Sequence, residues 1–321
     1  MNRRQWLLHM AAGSAGMHIP QARAAACAAP TRLVVGFAAG GGVDALARAT
    51  AIPIGQALQC TVVVDNRPGA GGALAATPVA NAAADGTTLL FADTALLVGQ
   101  HAIKNARYNV QQQFAPLARI ARVPLVLAAH TSVPARDPRE FMALVKAAPG
   151  KYSYGSAGVA TLHHLGGELL KQSAGLDWTH VAYKGGAPAV QDLVGGQIPF
   201  AIASIPAILP HARAGRVRLI AVMSEQRSTL LPDVPAMGET IAGFDATPSI
   251  FLLAPGKIAR DPQARLEAAA LQALSNPELH AALAAQGAMP SPLSGAPLKD
   301  WLRREDTRWA EVVAKAGISL E

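Results

Sequence analysis

Strand-like and helix-like segments alternate along most of this chain, and this alternation restricts its fold more than any other feature. Such alternation is typical of α/β proteins, in which parallel sheets are covered by helices on both faces. The strand candidates are 32–37, 61–65, 87–92, 117–128, 152–155, 179–182, 198–203, 217–223 and 250–254, and the helix candidates are 43–58, 71–83, 138–148, 161–173, 186–195, 206–214 and the tail from 260.

The alternation weakens at two places, around 118–130 and 235–250, where extended apolar stretches occur. If the chain crosses between two lobes at both places, the first lobe is discontinuous and the second lobe is inserted into it. We therefore predict a lobe 1 of 27–124 plus 248–321 and a lobe 2 of 125–247, each with a mixed, mostly parallel sheet flanked by helices. Small ligands usually bind in a cleft between such lobes.

The first 26 residues have the pattern of an export signal. Arg3 and Arg4 precede a short, weakly apolar stretch, and "QARAAA" then offers small residues suited to cleavage. "NRRQWLL" is similar to the twin-arginine export motif, so the Sec and twin-arginine routes both stay open. The alternative is an amphipathic helix of the folded domain. Removal of 1–26, which holds three arginines and no acid, lowers the net charge from +7 to +4.

The composition argues against two classes of function. No apolar stretch free of Gly, Pro and charge reaches the roughly 18 to 20 residues of a bilayer span. No basic run with interleaved aromatic residues indicates nucleic-acid binding. A mildly basic chain would instead attract anionic solutes.

Cys27 and Cys60 are the only cysteines, and each precedes an apolar run with strand character. If these runs form adjacent parallel strands, both cysteines lie at the same sheet edge, where an oxidising compartment permits a disulfide. Two alternatives stay open, a free buried Cys60 and lipidation of Cys27, although "RAAAC" lacks the leucine usual for lipidation.

The segment "FAAGGGVDALARA" predicts a strand end, a glycine loop and the start of a helix. Gly40, Gly42 and Ala45 satisfy the G-x-G-x-x-A pattern of dinucleotide-binding folds, and Asp65 is placed where an acid that binds ribose is expected. This supports an alternative function, an exported NAD(P)-dependent oxidoreductase. Phe37, Ala38 and Ala39 separate the apolar run "RLVVG" from Gly40, the first glycine of the pattern. The tight turn that binds a pyrophosphate would therefore begin late, which weighs against the oxidoreductase alternative.

Motifs of common enzyme classes are missing from the sequence, including G-x-S-x-G, H-E-x-x-H, C-x-x-C and the Walker lysine. His163 and His164 would point about 100° apart on a helix and make a poor metal pair. Ser156 and His164 lack a third group to orient them as nucleophile and base. We therefore expect no enzymatic activity, no metal and no cofactor.

Six segments of the chain resemble one known family in their order and spacing. They are "RLVVGFAAGGGVDALARA", "VVVDNRPGAGGALAATPVANAAADGTTLLF", "VKAAPGKYSYGSAGVATLHHLGGELLK", "HVAYKGGAPAVQDLVGGQI", "AILPHARAGRVRLIAV" and "RSTLLPDVPAMGE". Together they closely resemble the Bug family, the periplasmic solute-binding proteins associated with tripartite tricarboxylate transporters. The resemblance implies a two-lobed, Venus-flytrap fold in the periplasm that binds a small carboxylate or amino acid. It also implies delivery to transporter subunits or a sensor, with the binding protein acting as a monomer.

The resemblance and the glycine loop together suggest one half of a ligand site. Ala39, Gly40, Gly41 and Gly42 have no side chains that block approach, and they precede a helix N-terminus, which favours an anion. We expect this loop to hold one ligand carboxylate. The alternative is a tight turn packed against a neighbour. Asp44 is expected to cap the helix, because its charge would repel an anion.

The second lobe repeats this design after its first strand. Ser156, Ala157, Gly158 and Thr161 form a loop before a helix, and the two hydroxyl residues match ligand-facing positions of the family. His164 matches a histidine common in the family. We expect these five residues to hold the other end of the ligand.

Two departures from the family pattern bear on the ligand. Members often have an acid followed by Asn where this chain has Ala203 and Ser204, so the Ser204 hydroxyl is the candidate contact there. Asp93 and Thr94 follow the third strand, near small hydroxyl residues of the family. An acid at 93 would either pair with a ligand ammonium, cap a helix or face solvent. We include Asp93, Thr94 and Ser204 among the expected ligand contacts.

Overall fold

We describe the protein from a computed structural model, in which residues 29–320 are described. The expected signal peptide, 1–26, and Cys27 lie outside the described residues. Cys60 is disulfide-bonded, and β1 (Thr31–Val35) and β2 (Val62–Asn66) are adjacent parallel strands, which is the arrangement that the expected pairing requires. None of the helices within 29–320 has the length and apolar character that crossing a bilayer requires.

The described strands form two sheets. After β1 and β2 they are β3 (Thr88–Asp93), β4 (Phe114–Arg122), β5 (Leu125–His130), β6 (Ser153–Ser156), β7 (Thr179–Ala182), β8 (Phe200–Ser204), β9 (Val217–Val222), β10 (Ser249–Pro255) and β11 (Met289–Leu293). The first sheet has the order β11-β4-β10-β3-β1-β2 and the second has the order β7-β6-β8-β5-β9.

Both sheets are mixed, as expected, but they are not mostly parallel. Among the described residues, five of the nine strand pairings are antiparallel. The reason lies in how the chain enters each sheet. Leu125 at the start of β5 pairs with Ser204 at the end of β8, and Ile250 of β10 pairs with Asp93 at the end of β3. A strand that begins at the edge where its neighbours end must run against them.

Helices cover both faces of the sheets, and each sheet has an apolar cluster on either face. The helices are α1 (Gly42–Leu58), α2 (Ala73–Ala80), α3 (Ala95–Ala102), α4 (Val110–Gln113), α5 (Pro138–Lys146), α6 (Leu162–Ala174), α7 (Gly186–Val194), α8 (Ile205–Arg213), α9 (Arg260–Ala273), α10 (Pro277–Ala285) and α11 (Gly295–Ala316).

Helix α1 shows how the sequence builds these layers. Leu46, Ile54 and Leu58 recur at helical spacing, and the most exposed of them, Leu58, is 5% exposed. Burial of each such side chain contributes about 1.5–3 kcal/mol. The helix ends where Gln59 adopts a left-handed conformation with φ 54°. This packing fixes the direction of α1 and leaves its N-terminus, at Gly42, on the edge of the sheet.

The two sheets share one topology around their parallel strands. In the first, β1 lies between β2 and β3 and is parallel to both. In the second, β6 lies between β7 and β8 in the same way. The strand order therefore reverses at the carboxyl ends of β1 and β6. In open α/β sheets, such switch points form the crevice in which ligands bind.

The chain crosses between the sheets twice at this same edge. Arg122, at the end of β4, forms an ion pair with Asp245 on the returning segment, and Val123 N donates to Pro248 O at 2.8 Å. The two crossings therefore run side by side. The single strand expected over 117–128 is in fact β4 and β5, which belong to different sheets.

One apolar cluster is shared between the two sheets. Trp309, Val312 and Val313 of α11, with Val98 and Ala102 of α3, pack into the cluster that covers the second sheet. Helix α11 also contacts β4 of the first sheet and α6 of the second. Helix α11 therefore links the two sheets through this shared cluster.

Candidate functional site

The loop between β1 and α1 presents backbone amides at the switch point of the first sheet. Gly41 is the N-cap of α1 and has no side-chain cap, and the first intrahelical bond runs from Ala45 N to Gly41 O at 2.9 Å. The amides of Gly42 and Val43 precede this bond and have no acceptor within the helix. Residues 38–42 are exposed. The loop can therefore accept an anion.

Asp44 holds this loop from the buried side. It is 3% exposed, and its carboxylate accepts hydrogen bonds from Arg48 Nε at 3.0 Å, Gly40 N at 2.8 Å and Asn66 Nδ2 at 2.9 Å. The bond from Arg48, with those from Gly40 and Asn66, lowers the pKa of Asp44 to about 2. Asp44 therefore ties the loop to its surroundings and is not the helix cap that the sequence suggested.

Two of the four loop amides are used inside the loop. Gly40 N binds Asp44, and Gly41 N donates to Ala38 O at 3.3 Å. The amide of Ala39 has no acceptor among the described residues, and that of Gly42 begins the helix. These two amides are the free donors of the expected cradle.

Asp93 and Thr94, at the end of β3, differ in their surroundings. Thr94 is 0% exposed, and its hydroxyl accepts a hydrogen bond from Ser249 N at 2.9 Å, which joins β3 to β10. Asp93 keeps part of its surface exposed, and its Oδ1 accepts a hydrogen bond from Ala95 N at 2.9 Å. Burial raises the pKa of Asp93 to about 7. Thr94 therefore links β3 to β10 from within, and Asp93 is the partly exposed residue of the pair.

The loop between β6 and α6 is held by its own hydroxyl groups. Thr161 is the N-cap of α6, and its hydroxyl donates to Gly158 O at 2.7 Å. Ser156 is 0% exposed, accepts a hydrogen bond from Gly158 N at 3.1 Å and lies 2.6 Å from His180 Nε2. Gly158 has φ 132°, a conformation that favours glycine. Ser156 is therefore buried beneath the loop and is bonded to it.

His180 supports this loop together with His164, and the sequence alone does not single it out. Their rings stack with centroids 3.7 Å apart at 16°, and His164 Nδ1 accepts a hydrogen bond from Ala160 N at 3.1 Å. Ala160 itself has φ 58°. Burial lowers the pKa of both histidines to about 4, so both are neutral at pH 7. Only the pairing of β6 with β7, which aligns His180 with Tyr154, brings the second ring here.

Three further residues lie at the same edge of the second sheet. Ser204 is the half-buried N-cap of α8, and its hydroxyl has no hydrogen-bond partner among the described residues. His163 is also partly exposed, and burial lowers its pKa to about 4. Ala157 contributes its carbonyl, which accepts a hydrogen bond from Gly185 N at 3.2 Å. Ser204 and His163 are thus the polar side chains that remain open here.

Gln286 and Gly287 lie between the N-termini of α1 and α8. A Cβ at Gly42 would lie 4.0 Å from Gln286 Oε1, and a Cβ at Gly287 would lie 2.6 Å from Pro206 Cδ. Gly287 has φ 71°, so glycine suits both the conformation and the close approach. The N-termini of α1 and α8, which belong to different sheets, therefore lie on either side of one short bridge.

The four loop segments that carry the expected ligand contacts contain no cationic side chain, and Lys184 lies just outside them, next to Gly185, whose amide binds Ala157 O. Residues 37–43, 93–95, 157–162 and 204–206 include no lysine or arginine. Within 29–320, no three His, Cys, Asp or Glu side chains meet in a cluster that could hold a metal ion. An anion bound here would be held by helix N-terminal amides and hydroxyl groups.

The dinucleotide alternative is not supported. Asp65, the expected ribose ligand, is paired with Arg67 Nε at 3.1 Å and lies 4.0 Å from Arg32 Nη1. Strand β1 ends at Val35 and α1 begins at Gly42, so the connection is too long for the tight turn of that motif.

Known proteins match this chain over almost its full length. Residues 46–318 match the model of the tripartite tricarboxylate transporter family receptor. Protein BugT of Bordetella pertussis is 34% identical over 313 residues, which cover 96% of this chain and 95% of BugT.

Two solved structures with ligands have the same fold. An R. palustris protein with adipate is 29% identical with a TM-score of 0.75, and the match covers 91% of this chain and 98% of that one. MatC from Rhodopseudomonas palustris with bound malate is 29% identical with a TM-score of 0.71, covering 89% and 99%. The resemblance seen in the sequence is thereby confirmed, and the chain belongs to the tripartite tricarboxylate transporter family receptors, the Bug family of periplasmic solute-binding proteins.

Proposed function

We propose that this protein captures a small carboxylate-bearing ligand between its lobes in the periplasm and delivers it to a tripartite tricarboxylate-type transporter. The observation that supports the proposal is that each sheet has a switch point with a glycine loop before a helix, and that the Gln286–Gly287 bridge brings the N-termini of α1 and α8 from the two sheets close together. The adipate and malate complexes of two relatives support a carboxylate as the ligand.

The ligand would be held from both sides by neutral donors. One carboxylate would lie on the free amides of Ala39 and Gly42, where the helix N-terminus carries a partial positive charge of roughly half a unit. The other end would lie near Thr161, His163 and Ser204 on the second lobe. Thr94, Ser156 and His164 would position these groups rather than contact the ligand.

Binding at two lobes explains how capture could drive closure. A ligand shifts an equilibrium only by its difference in affinity for the two states, so contacts to both loops favour the closed form. The paired crossings near Arg122 and Asp245 would act as the hinge. We propose no catalytic role for Ser156, because its hydroxyl is buried and bonded within the loop.

A ligand screen with matched variants tests this proposal. Thermal unfolding of residues 27–321 would be followed with mono-, di- and tricarboxylates, amino acids, aromatic acids and NAD(P). A ligand at about 100 times its Kd adds roughly 2.7 kcal/mol of stability, which such a melt detects. The Gly42→Leu variant should bind any such ligand at least about tenfold more weakly, since its side chain would fill the cleft. Ala147→Leu introduces the same side chain at an exposed site at the end of α5 and should bind normally.

If no carboxylate raises the melting temperature, or if Gly42→Leu binds as tightly as Ala147→Leu, the proposed site is wrong.

A further inference from the structure

The carboxylate of Asp93 has a donor for one oxygen only. Its Oδ1 accepts a hydrogen bond from Ala95 N, and it forms no ion pair with any Lys, Arg or His of the described residues. The titratable neighbour is Tyr108, whose hydroxyl donates to Leu96 O at 2.8 Å and whose pKa is raised by burial and by the Asp93 charge. Asp93 is therefore a desolvated acid with no positive partner in the protein.

A helix-capping role does not explain this residue. Accepting the Ala95 amide requires one oxygen atom, which an asparagine would supply without a buried charge. Small hydroxyl residues, expected here from the family pattern, would also avoid that charge. The carboxylate imposes a desolvation cost in the ligand-free protein that a cationic ligand group would offset.

The position of Asp93 relative to the amide cradle defines what kind of cation fits. Val35 of β1 aligns with Phe91 of β3, so the β1–α1 loop and Asp93 extend from neighbouring strands. Neighbouring strands lie about 4.8 Å apart. An α-amino acid carries its ammonium and carboxylate on one carbon, so the two groups can bind partners that extend from neighbouring strands.

We propose that Asp93 binds a ligand ammonium group and that the ligand is an α-amino acid. Its carboxylate lies on the amides of Ala39 and Gly42, its ammonium on Asp93, and its side chain extends toward the second lobe. This inference rests on the proposed function, since it assigns the substrate class of the same cleft.

The test compares ligands that differ by the ammonium group alone. Calorimetric titrations at pH 7 would use succinate with aspartate, and 4-methylpentanoate with leucine. Asp93→Asn keeps the acceptor for Ala95 N and removes the charge. Asp137→Asn is the matched control, because Asp137 caps α5 through bonds from Arg139 N and Glu140 N at 2.8 and 2.9 Å, outside the cleft loops.

At least one amino acid should bind the unaltered protein more tightly than its partner without the ammonium. Asp93→Asn should weaken that amino acid by about tenfold or more, because it removes one member of a desolvated charge pair. The ammonium-free partner should bind Asp93→Asn equally well or better, and Asp137→Asn should leave all affinities unchanged.

Proton exchange gives a second readout. An ammonium stabilises the charged form of Asp93, so binding at pH 7 should release a fraction of a proton, measurable by titration in buffers of different ionisation enthalpy. Asp93→Asn should abolish this release, whereas a dicarboxylate bound beside Asp93 would cause proton uptake instead.

The inference is overturned if dicarboxylates bind and neither amino acid does, or if Asp93→Asn leaves the preference unchanged; the proposed function would then still stand. If no carboxylate of either kind binds, the proposed function itself fails.

Discussion

Ser156 Oγ lies 2.6 Å from His180 Nε2, so the edge strand β7 holds the loop that leads into α6. The same hydroxyl accepts the Gly158 amide. His180 in turn stacks on His164, which accepts the Ala160 amide. One buried network thus fixes two backbone amides of a loop that the ligand is proposed to contact.

Loss of this network should weaken ligand binding without removing a ligand contact. His180→Phe keeps an aromatic ring against His164 but removes the hydrogen bond to Ser156. Ser156→Ala removes the same hydrogen bond by deleting the hydroxyl. Each should weaken binding several-fold, and the double variant should be little worse than either, with a coupling energy of about 0.5 kcal/mol or more. Calorimetry on the three variants measures this.

His130→Phe is the control for that experiment, because His130 Nδ1 lies 2.7 Å from Ser132 Oγ at the opposite edge of the sheet. Additive effects of His180→Phe and Ser156→Ala, or an equal loss in His130→Phe, would count against the network.

Three histidines with lowered pKa values, His163, His164 and His180, should make the ligand-free protein less stable in mild acid. Their folded pKa values, about 4, are below the usual 6.5, so the unfolded state binds more protons. Their contribution is complete above about pH 6.5 and is lost as the pH falls toward 4, by up to about 1.4 kcal/mol per pH unit for each histidine. Urea unfolding of the protein and of His164→Gln at pH 7.5, 6 and 5 should show a shallower pH dependence in the variant. An identical slope would contradict the assignment.

Asp93 should have the opposite effect on stability. Its folded pKa, about 7, is above the usual 3.8, so its contribution is present below pH 3.8 and is lost as the pH rises through 7. Asp93→Asn should therefore stabilise the ligand-free protein at pH 8, by an amount on the order of 1 kcal/mol, and by less at pH 5. Urea unfolding at the two pH values checks this. A variant that is less stable at pH 8 would show that the carboxylate has a cationic partner in the protein.

The Gln286–Gly287 bridge should be sensitive to a single methyl group. Gly287→Ala would place a Cβ against Pro206 in a left-handed backbone conformation, which forces the N-terminus of α8 away from that of α1. We expect lower melting temperature and weaker ligand binding. Gly215→Ala has a similar φ, 68°, with nothing within 4 Å of the new Cβ. Equal effects of the two changes on ligand affinity would show that the bridge does not position the cleft.

Much of the fold was predictable because its signals are local. The expected helix 43–58 corresponds to α1 (Gly42–Leu58), since glycine precedes it and its apolar residues recur at helical spacing. Helix α3 was missed because Leu96, Leu97 and Val98 are all buried, which hides the periodicity. Strand β11 was missed because Pro290 interrupts it, and proline is tolerated there since β11 is an edge strand.

The site was predictable only in part. The glycine loops and the strand ends are visible in the sequence, and the structure places them at the carboxyl edges of the parallel strands of the two sheets. Which hydroxyls face the proposed cleft depends on partners far along the chain. The Thr94 hydroxyl is hydrogen-bonded to Ser249, and the Ser156 hydroxyl lies within hydrogen-bond distance of His180. The Ser204 hydroxyl has no hydrogen-bond partner among the described residues. No local pattern encodes these pairings.

A crystal structure of the protein with a ligand from the screen tests the central claim most directly. The account predicts a ligand in the cleft, with a carboxylate on the amides of Ala39 and Gly42 and contacts to the loop before α6 or to Ser204. A ligand bound to one lobe alone would contradict it. So would a ligand in the cavity of about 410 Å³ at the opposite edge of the first sheet, which Asp85 and Arg265 help to line.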